Sequence, residues 1–243
     1  MEAAEYEKLA ATESSMWWFK ALHGLVADQV GRMKLAPGAR LLDAGCGTGG
    51  MLLSLGGRYP ALDLGGVELD PAAARLAEAR SGKPVAIGSI GHLPQEDASL
   101  DAVVSLDVLC HAGVSVEGSL AEFARCLKPG GHLVLSLPAY QWMLSGHDVA
   151  VSNVRRFTRG GLRPMLRAAG FGIEADGYWN SLLFPLMLAH RFLSRSAAES
   201  DVRAFPAWQD RLFNRVLDIE AAMRRHGLAL PFGGSVWVRA RRR

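Results

Sequence analysis

Apolar runs of strand length alternate with longer amphipathic segments along the chain. The strand-length runs are ARLLDAG, LDLGGVEL, KPVAIGS, LDAVVSLDVL, HLVLSLP, GIEADGYW and SVWVRARR. Several of them are followed by a segment whose apolar residues recur at helical spacing. This alternation predicts an α/β fold, with a doubly wound, seven-stranded, mostly parallel sheet and helices on both faces.

Turn and cap residues predict where several helices begin and end. Pro71 stands at a helix start, where proline is favoured. The segment EGSLAEFARCLKPGG is predicted as one helix that Pro129 and two glycines close. Near the N-terminus, Ser14 or Ser15 is the predicted cap of the helix in SSMWWFKALHGLV.

The segment 180–234 separates the last two predicted strands and holds two helical patterns. In the second pattern the apolar residues at helical spacing are Leu212, Val216, Ile219 and Met223. Three interpretations stay open: a lid over a substrate pocket, an oligomer surface, or a membrane-surface patch. The third rests on Arg191 and Arg195, which follow an apolar run.

Composition and charge exclude several classes of protein. Apolar residues make up 49% of the 243 residues and the net charge is +3, with much of the excess in the terminal RARRR. So small and local an excess does not predict a nucleic-acid partner. The three cysteines have no metal-ligand spacing, so no metal is predicted, and the N-terminus carries no apolar leader pattern. These features predict a cytoplasmic protein.

The segment LLDAGCGTGG follows the first buried-strand signal directly. Gly45, Gly47 and Gly49 alternate, which is not the spacing of a dinucleotide-binding loop. Glycines let the backbone turn sharply and let a ligand approach the amide groups. Asp43, at the strand end, could orient a positive group or hold this loop.

A second acidic position follows at the end of the next strand. Glu68 stands 19 positions after Gly49, close to the offset at which a carboxylate reaches a ribose diol. Asp70 is the competing residue, but its place before Pro71 suits a helix N-cap.

At these residues the sequence resembles the class I S-adenosylmethionine-dependent methyltransferases, which have a Rossmann-like fold. The motifs that carry the resemblance are LLDAGCGTG, GVELDP, LPQEDASLDAVVSLDVLCH and CLKPGGHLVLSLP, within residues 35–177. The resemblance implies S-adenosylmethionine as cofactor and S-adenosylhomocysteine as product. The cofactor-binding residues it implies are Asp43, Gly45, Cys46, Gly47, Gly49, Glu68, Leu69, Ser89, Ile90, Leu106 and Asp107. Ser89 stands where the family usually has an acid, and a serine that closes a turn is the alternative.

Residues around the fifth strand and the N-terminus are candidates for the acceptor side. His147 and Asp148 are the predicted catalytic residues, with His147 as general base. The predicted substrate residues are Trp18, His111, Tyr140, Trp142, Arg155 and Arg156. Because Trp17, Trp18 and Phe19 are consecutive, we expect only one or two of them to cover the site.

The whole chain also resembles a bacterial subgroup of these enzymes, through WWF, HD…RRFT and LPFGGSVWVRARR. We predict one domain, residues 1–243, whose last strand is antiparallel. Its parts are an N-terminal helical lid (1–34), a cofactor-binding core (35–179), a helical insertion (180–234) and a last strand with a basic tail (235–243).

The predicted function is methyl transfer to a small-molecule acceptor, with oxygen as the first choice and nitrogen or carbon next. Such an acceptor could be related to a secondary metabolite or a glycan. The alternatives are a non-catalytic S-adenosylmethionine-binding partner protein and a lipid methyltransferase at a membrane surface. A homodimer through 180–234 is the predicted oligomer.

Overall fold

A seven-stranded sheet forms the centre of the protein, as a computed structural model that describes residues 3–146, 148, 152–193 and 205–243 shows. The strands are β1 (Arg40–Ala44), β2 (Asp63–Glu68), β3 (Val85–Ile87), β4 (Leu100–Leu106), β5 (Leu127–Pro138), β6 (Phe171–Trp179) and β7 (Ser235–Arg242). Their order is β3-β2-β1-β4-β5-β7-β6. The pairs from β3 to β5 are parallel, and β7 runs antiparallel to both β5 and β6. The predicted fold class is confirmed.

Helices cover both faces of the sheet. They are α1 (Ala3–Ser15), α2 (Trp17–Met33), α3 (Gly50–Arg58), α4 (Pro71–Ser81), α5 (Val116–Cys126), α6 (Arg159–Ala168), α7 (Phe184–Leu193) and α8 (Ala207–Arg225), with a 3₁₀ turn at Gln141–Met143. On one face, α5 and α6 bury Leu120, Phe123 and Leu162 in a cluster with the strands. On the other face, α2 and α3 bury Val26 and Leu52 in a second cluster. Burial of these apolar faces holds the layers together.

One predicted helix is shorter than the sequence pattern indicated. α5 ends at Cys126, and Leu127 already pairs with Leu100 as the first residue of β5. Because Lys128 precedes Pro129, the helical conformation is disfavoured at that residue, and the chain leaves the helix before the proline. The segment LKPGG is therefore strand rather than helix end.

The start of α2 also differs from the prediction. Ser15 is the last residue of α1, and its hydroxyl donates to the carbonyl of Ala11. Met16 is the N-cap of α2 and offers no side-chain acceptor. Instead, Asp210 of α8 accepts the backbone N–H of Trp17 at 2.8 Å. A carboxylate from a distant helix thus takes the place of the predicted serine.

Between β6 and β7 the chain forms α7 and α8 above the carboxyl ends of the parallel strands. Glu220 of α8 accepts the backbone N–H groups of Ser181 and Leu182, at 2.7 and 2.9 Å. Together with the contact between Asp210 and Trp17, this fixes α8 against α2 and the end of β6. No helix within the described ranges has the length and apolar character that crossing a bilayer requires.

Candidate active site

The glycine loop after β1 opens onto a cavity. Gly45, Gly47 and Gly49 have φ angles of +82°, +54° and +83°, a region that side-chain-bearing residues rarely adopt. A Cβ atom on Gly49 would lie 2.8 Å from the backbone of Ala77, so glycine there lets α3 and α4 approach closely. A Cβ on Gly47 would have no atom of the described residues within 4 Å, because this residue lines the cavity.

Glu68 fastens the loop to the end of β2. Its two carboxylate oxygens accept the backbone N–H of Gly47 at 2.9 Å and that of Asp70 at 3.0 Å. Asp70 in turn caps α4 through the N–H groups of Ala72 and Ala73, as predicted. A carboxylate has about four acceptor positions, so Glu68 can still receive hydroxyl donors.

Asp43 lies at the bottom of the cavity with 2% of its surface exposed. Burial, together with the neighbouring carboxylates of Glu13 and Glu68, raises the pKa of Asp43 to about 8. Among the described residues, no donor reaches its Oδ2 atom. A positively charged ligand group beside these acids would restore the ionised form of Asp43.

Glu13 of α1 reaches over the loop from the N-terminal side. Its Oε2 accepts the hydroxyl of Thr48 at 2.6 Å and the guanidinium of Arg80 at 2.8 Å. The carboxylate lies so close to Gly50 that a Cβ atom there would overlap it. His23 is 3.8 Å from Glu13, and burial lowers the pKa of this imidazole. Glu13 therefore contributes a second acid to the glycine-loop end of the cavity.

Asp107 follows β4 directly. Its φ of +55° is unusual for a residue other than glycine, and its N–H donates to the carbonyl of Ser136 at 2.8 Å. Burial raises the pKa of Asp107 to about 7, although the positive charge of Arg156 opposes this shift. Within the described ranges its Oδ2 atom finds no donor. An acid with a pKa near 7 in a cavity is suited to hold or release a proton.

The cavity has a volume of about 570 Å³, within the range of small-molecule sites. Its floor is formed by strand ends: Asp43, Leu106, Asp107, Pro138, Asn180 and Ser235. Its apolar roof comes from the start of α2 and from the insertion: Trp17, Trp18, Phe19, Leu183, Leu186, Met187, Phe205 and Phe213. Parallel α/β sheets bind ligands at this edge.

Known proteins are similar to this chain in sequence. The family model described as a methyltransferase domain matches residues 42–135, which include the glycine loop and Asp107. 24-Methylenesterol C-methyltransferase 2 of Arabidopsis thaliana is 31% identical over 147 residues, 56% of this chain and 39% of that protein. Malonyl-[acyl-carrier protein] O-methyltransferase of Geobacter sulfurreducens is 29% identical over 188 residues, 70% of this chain and 66% of that protein.

The chain contains a segment that matches a methyltransferase domain, and over a longer stretch it is similar in sequence to methyltransferases. Its cofactor is S-adenosylmethionine. The chain spans 39% and 66% of the length of these two relatives. Its fold is also that of geranyl diphosphate C-methyltransferase from Streptomyces coelicolor A3(2). That crystal structure superimposes with a TM-score of 0.60 at 17% identity, over 90% of this chain and 76% of that one.

The geometry of the glycine-loop end of the cavity fits S-adenosylmethionine. S-adenosylmethionine carries an ammonium group and a sulfonium, and the glycine-loop end of the cavity presents Asp43 and Glu13, both largely buried. The open backbone at Gly47 leaves room for an amino-acid tail. Cations are stabilised where buried carboxylates converge.

The structure places the predicted cofactor-binding residues in three positions relative to the cavity. The cavity is lined by Asp43, Gly45, Cys46, Gly47, Leu106 and Asp107. Glu68, Leu69, Ser89 and Ile90 lie outside its lining, at the carboxyl ends of β2 and β3. Gly49 is buried behind the loop, against α4. Ser89 is exposed and accepts the N–H of Gly91 at 3.2 Å, the local turn contact of the alternative interpretation.

Several residues that were predicted to bind the substrate contact other parts of the protein instead. Arg155 donates to the carbonyls of Leu109 and Val114 and holds the loop after β4, so it does not line the cavity. Tyr140 and Trp142 stack on each other outside the cavity, with ring centroids 5.7 Å apart. None of the three residues lines the cavity, and their substrate roles stay predictions.

The predicted pair His147 and Asp148 is only half described, because His147 lies outside the described residues. Asp148 is completely buried, and Arg156 binds both of its carboxylate oxygens at 2.8 and 2.9 Å. The N–H of Ser145 also donates to Asp148. A carboxylate held in this way orders the loop after β5, so the contacts do not support its predicted catalytic role, and Arg156 is not free to clamp an anion.

More of the N-terminal aromatic residues line the cavity than the one or two that were predicted. Trp17, Trp18 and Phe19 all line it, together with the predicted His111. Because Met16 before them also lines the cavity, the whole start of α2 borders it. The sequence motifs gave no indication of Glu13, Asn180 or Phe213. Their partners are distant along the chain, and only the acidic charge of Glu13 was a visible signal.

Proposed function

We propose that the protein transfers a methyl group from S-adenosylmethionine to a small-molecule acceptor, with an oxygen atom as the first choice. One observation carries this proposal. The cavity begins at the glycine loop and continues past Asp107 beneath the roof of α2, α7 and α8. Two ligands can therefore lie end to end in one enclosed space, as group transfer between them requires.

Each part of the donor site has residues for one part of the cofactor. Glu68, with its free acceptor positions, would receive the ribose hydroxyls, and the adenine would lie near Leu69, Ser89 and Ile90. The backbone at Gly45, Cys46 and Gly47 would surround the amino-acid tail. Asp43 would face its ammonium group. This assignment follows the order of the strands: β3, β2, β1 and then β4.

When bound, S-adenosylmethionine supplies a methyl group that is already activated by the positive sulfonium. The chain's contribution is alignment, exclusion of water and proton handling. Alignment of two reactants can contribute up to about 7–11 kcal/mol. Asp107 is the residue best placed to accept a proton from an acceptor hydroxyl, because it lines the cavity and its pKa lies near neutrality.

The test separates donor binding from turnover. The purified protein is incubated with S-adenosylmethionine and fractionated small-molecule extracts, and S-adenosylhomocysteine formation is measured. We expect formation with at least one fraction, and a loss of at least tenfold in Asp107→Asn. Calorimetry should show that S-adenosylhomocysteine binds, and that Glu68→Ala weakens binding at least tenfold while the exposed Asp63→Ala does not. Binding without turnover in any fraction would favour the non-catalytic partner protein instead.

A second candidate, a lipid methyltransferase at a membrane surface, is favoured by one observation. Trp208, Leu212 and Ile219 are 63%, 48% and 58% exposed, and their spacing puts them on one side of α8. Exposed Arg211 and Arg215 lie on the same helix. Apolar and basic side chains together suit an anionic lipid surface. The predicted basic position Arg195 lies outside the described residues.

Flotation with vesicles of phosphatidylcholine and phosphatidylglycerol tests this candidate. We expect wild-type protein to float, and Arg211→Glu with Arg215→Glu to reduce the floated fraction severalfold, while Arg40→Glu on the opposite edge has no effect. Absence of flotation rules against a membrane role. The same helix face would serve the predicted homodimer through 180–234, and sedimentation of Trp208→Glu checks that prediction separately.

A further inference from the structure

The acceptor half of the cavity can be separated from the donor half by strand order. From β1 to β6 the cavity floor crosses β4, β5 and β7. Neighbouring strands are about 4.8 Å apart, so the floor extends over roughly 19 Å. Glu68 and the glycine loop lie at the β2 and β1 end. The part of the cavity above Pro138, Ser235 and Asn180 is therefore remote from the donor residues.

The roof over this remote part is apolar and closely packed. The ring of Trp17 contacts the edges of Phe205 and Phe213, with centroids 6.1 and 5.3 Å away. The ring of Trp18 lies 5.5 Å from that of Trp179, whose indole N–H is bound by Ser136. Contacts among these rings hold the roof in shape, so an apolar ligand need not reorganise it.

Few polar groups interrupt this surface. Asn180 is 1% exposed, lines the cavity, and has a φ of +56°. Its amide nitrogen contacts the sulfur of Met187 at 3.1 Å. Within the described part of the chain, its Oδ1 atom meets no donor. A buried acceptor of this kind is stabilised by a ligand that offers an O–H or N–H group.

The charges around the cavity oppose an anionic ligand. Among its described lining residues, Arg156 is the single arginine or lysine, and it is bound to Asp148 and to the carbonyl of Ala139. Glu13, Asp43 and Asp107 add carboxyl groups to the lining. A phosphate or carboxylate on the acceptor would meet like charges and, among these described lining residues, no free arginine or lysine.

From these contacts we infer that the acceptor is an uncharged molecule with an extended apolar body and a hydroxyl group, of the alkylphenol or long-chain alcohol class. This inference rests on the proposed function, because it assigns the second ligand of the same cavity. The apolar body lies beneath Trp17, Trp18, Leu183 and Phe213, and the hydroxyl group faces the polar floor.

A series of 4-alkylphenols, from ethyl to hexyl, tests the inference in protein saturated with S-adenosylhomocysteine. Binding is followed by quenching of tryptophan fluorescence. Each added methylene should lower the Kd about threefold to fourfold, the factor expected for full burial of one such group. The 4-alkylbenzoate and 4-alkylphenyl phosphate of equal chain length should bind at least tenfold more weakly. A Kd independent of chain length, or anions that bind as tightly as phenols, would overturn the inference.

A matched pair of variants locates the binding. Leu186 lines the cavity at 54% exposure, whereas Leu53 is 49% exposed on α3 and does not line it. We expect Leu186→Asn to weaken hexylphenol binding at least threefold and Leu53→Asn to leave it unchanged, with the affinity for S-adenosylhomocysteine equal in both. Equal effects of the two variants on hexylphenol would show adsorption outside the cavity. Failure of S-adenosylhomocysteine to bind would instead contradict the proposed function, whatever the phenols do.

Discussion

The carboxylate of Glu13 accepts the hydroxyl of Thr48 at 2.6 Å, and this contact brings α1 onto the glycine loop. Arg80 of α4 joins the same carboxylate and also donates to the carbonyl of Ala10. Three segments that are far apart in sequence thus meet above the end of β1. The glycine-loop end of the cavity is closed by the N-terminal helix.

This contact makes a prediction about the cofactor's amino-acid tail. Glu13→Gln should weaken S-adenosylhomocysteine binding about tenfold, because a charged partner of the ammonium group is lost. Binding of 5′-methylthioadenosine, which lacks the amino-acid part, should be unchanged. Calorimetry with both ligands measures the difference. The exposed Glu117→Gln serves as control, and an equal loss for both ligands would mean that Glu13 acts only by holding α1.

The raised pKa of Asp43 predicts a pH dependence of stability. The unfolded carboxyl ionises above about pH 4, whereas the folded one stays neutral up to about pH 8. Between these values the unfolded state binds fewer protons, so the free energy of unfolding falls as pH rises, by at most about 1.4 kcal/mol per pH unit for this group. Asp43→Asn removes this contribution.

Urea unfolding without ligand at pH 5 and pH 7.5 measures the effect. The loss of unfolding free energy between the two pH values should be smaller in Asp43→Asn than in wild type. Asp63→Asn, an exposed position on β2, should behave as wild type. An identical loss in wild type and Asp43→Asn would show that Asp43 is already ionised at pH 5 in the folded protein.

The buried pair of Arg156 and Asp148 predicts a large and non-additive loss of stability. Arg156→Met leaves the carboxylate of Asp148 buried without its partner and should cost about 3–5 kcal/mol. Removing both charges, with Asp148→Leu added, should restore a substantial part. Arg58→Met, which breaks the half-exposed pair with Asp28, should cost less than about 1 kcal/mol.

Urea unfolding of wild type, Arg156→Met, Asp148→Leu, the double variant and Arg58→Met checks these values. If the double variant were as unstable as the sum of the two single variants, the two side chains would not be coupled. If Arg156→Met cost no more than Arg58→Met, the buried contact would contribute no more than a surface pair.

The cap that Asp210 provides predicts a smaller effect. Asp210→Ala leaves the first N–H of α2 without its acceptor and should lower the free energy of unfolding by about 1 kcal/mol. Asp218→Ala, an exposed position on the same helix, should have little effect. Because Trp17 lines the cavity, Asp210→Ala should also weaken hexylphenol binding. Unchanged stability and unchanged binding together would show that α2 begins correctly without this contact.

Much of the fold could be predicted from the sequence because its signals are local. Alternating strand and helix patterns gave the sheet, and the spacing of Asp70 and Pro71 gave the start of α4. The glycine loop and Glu68 could be identified because they lie within one strand–helix–strand unit. Their contact, from Gly47 to Glu68, spans only 21 positions.

The missed features depend on contacts between distant segments. Asp210 caps α2 across 193 positions, and Glu13 reaches Arg80 across 67. No local pattern marks either partner. Arg155 and Arg156 show the same limit: adjacent arginines look alike in sequence, but one holds backbone carbonyls and the other a buried carboxylate. Which partner each arginine finds is decided by the loop that packs against it.

The reversed direction of β7 has a consequence for how such a protein can diversify. Ser235 begins β7 beside the end of β6, so the long connection between these strands leaves and re-enters the sheet at one corner. Its length and side chains can vary while the remaining strands keep their pairing. Under the proposed function, replacing this single excursion should exchange the molecules that are modified and leave the glycine loop and Glu68 intact on the other side of the sheet.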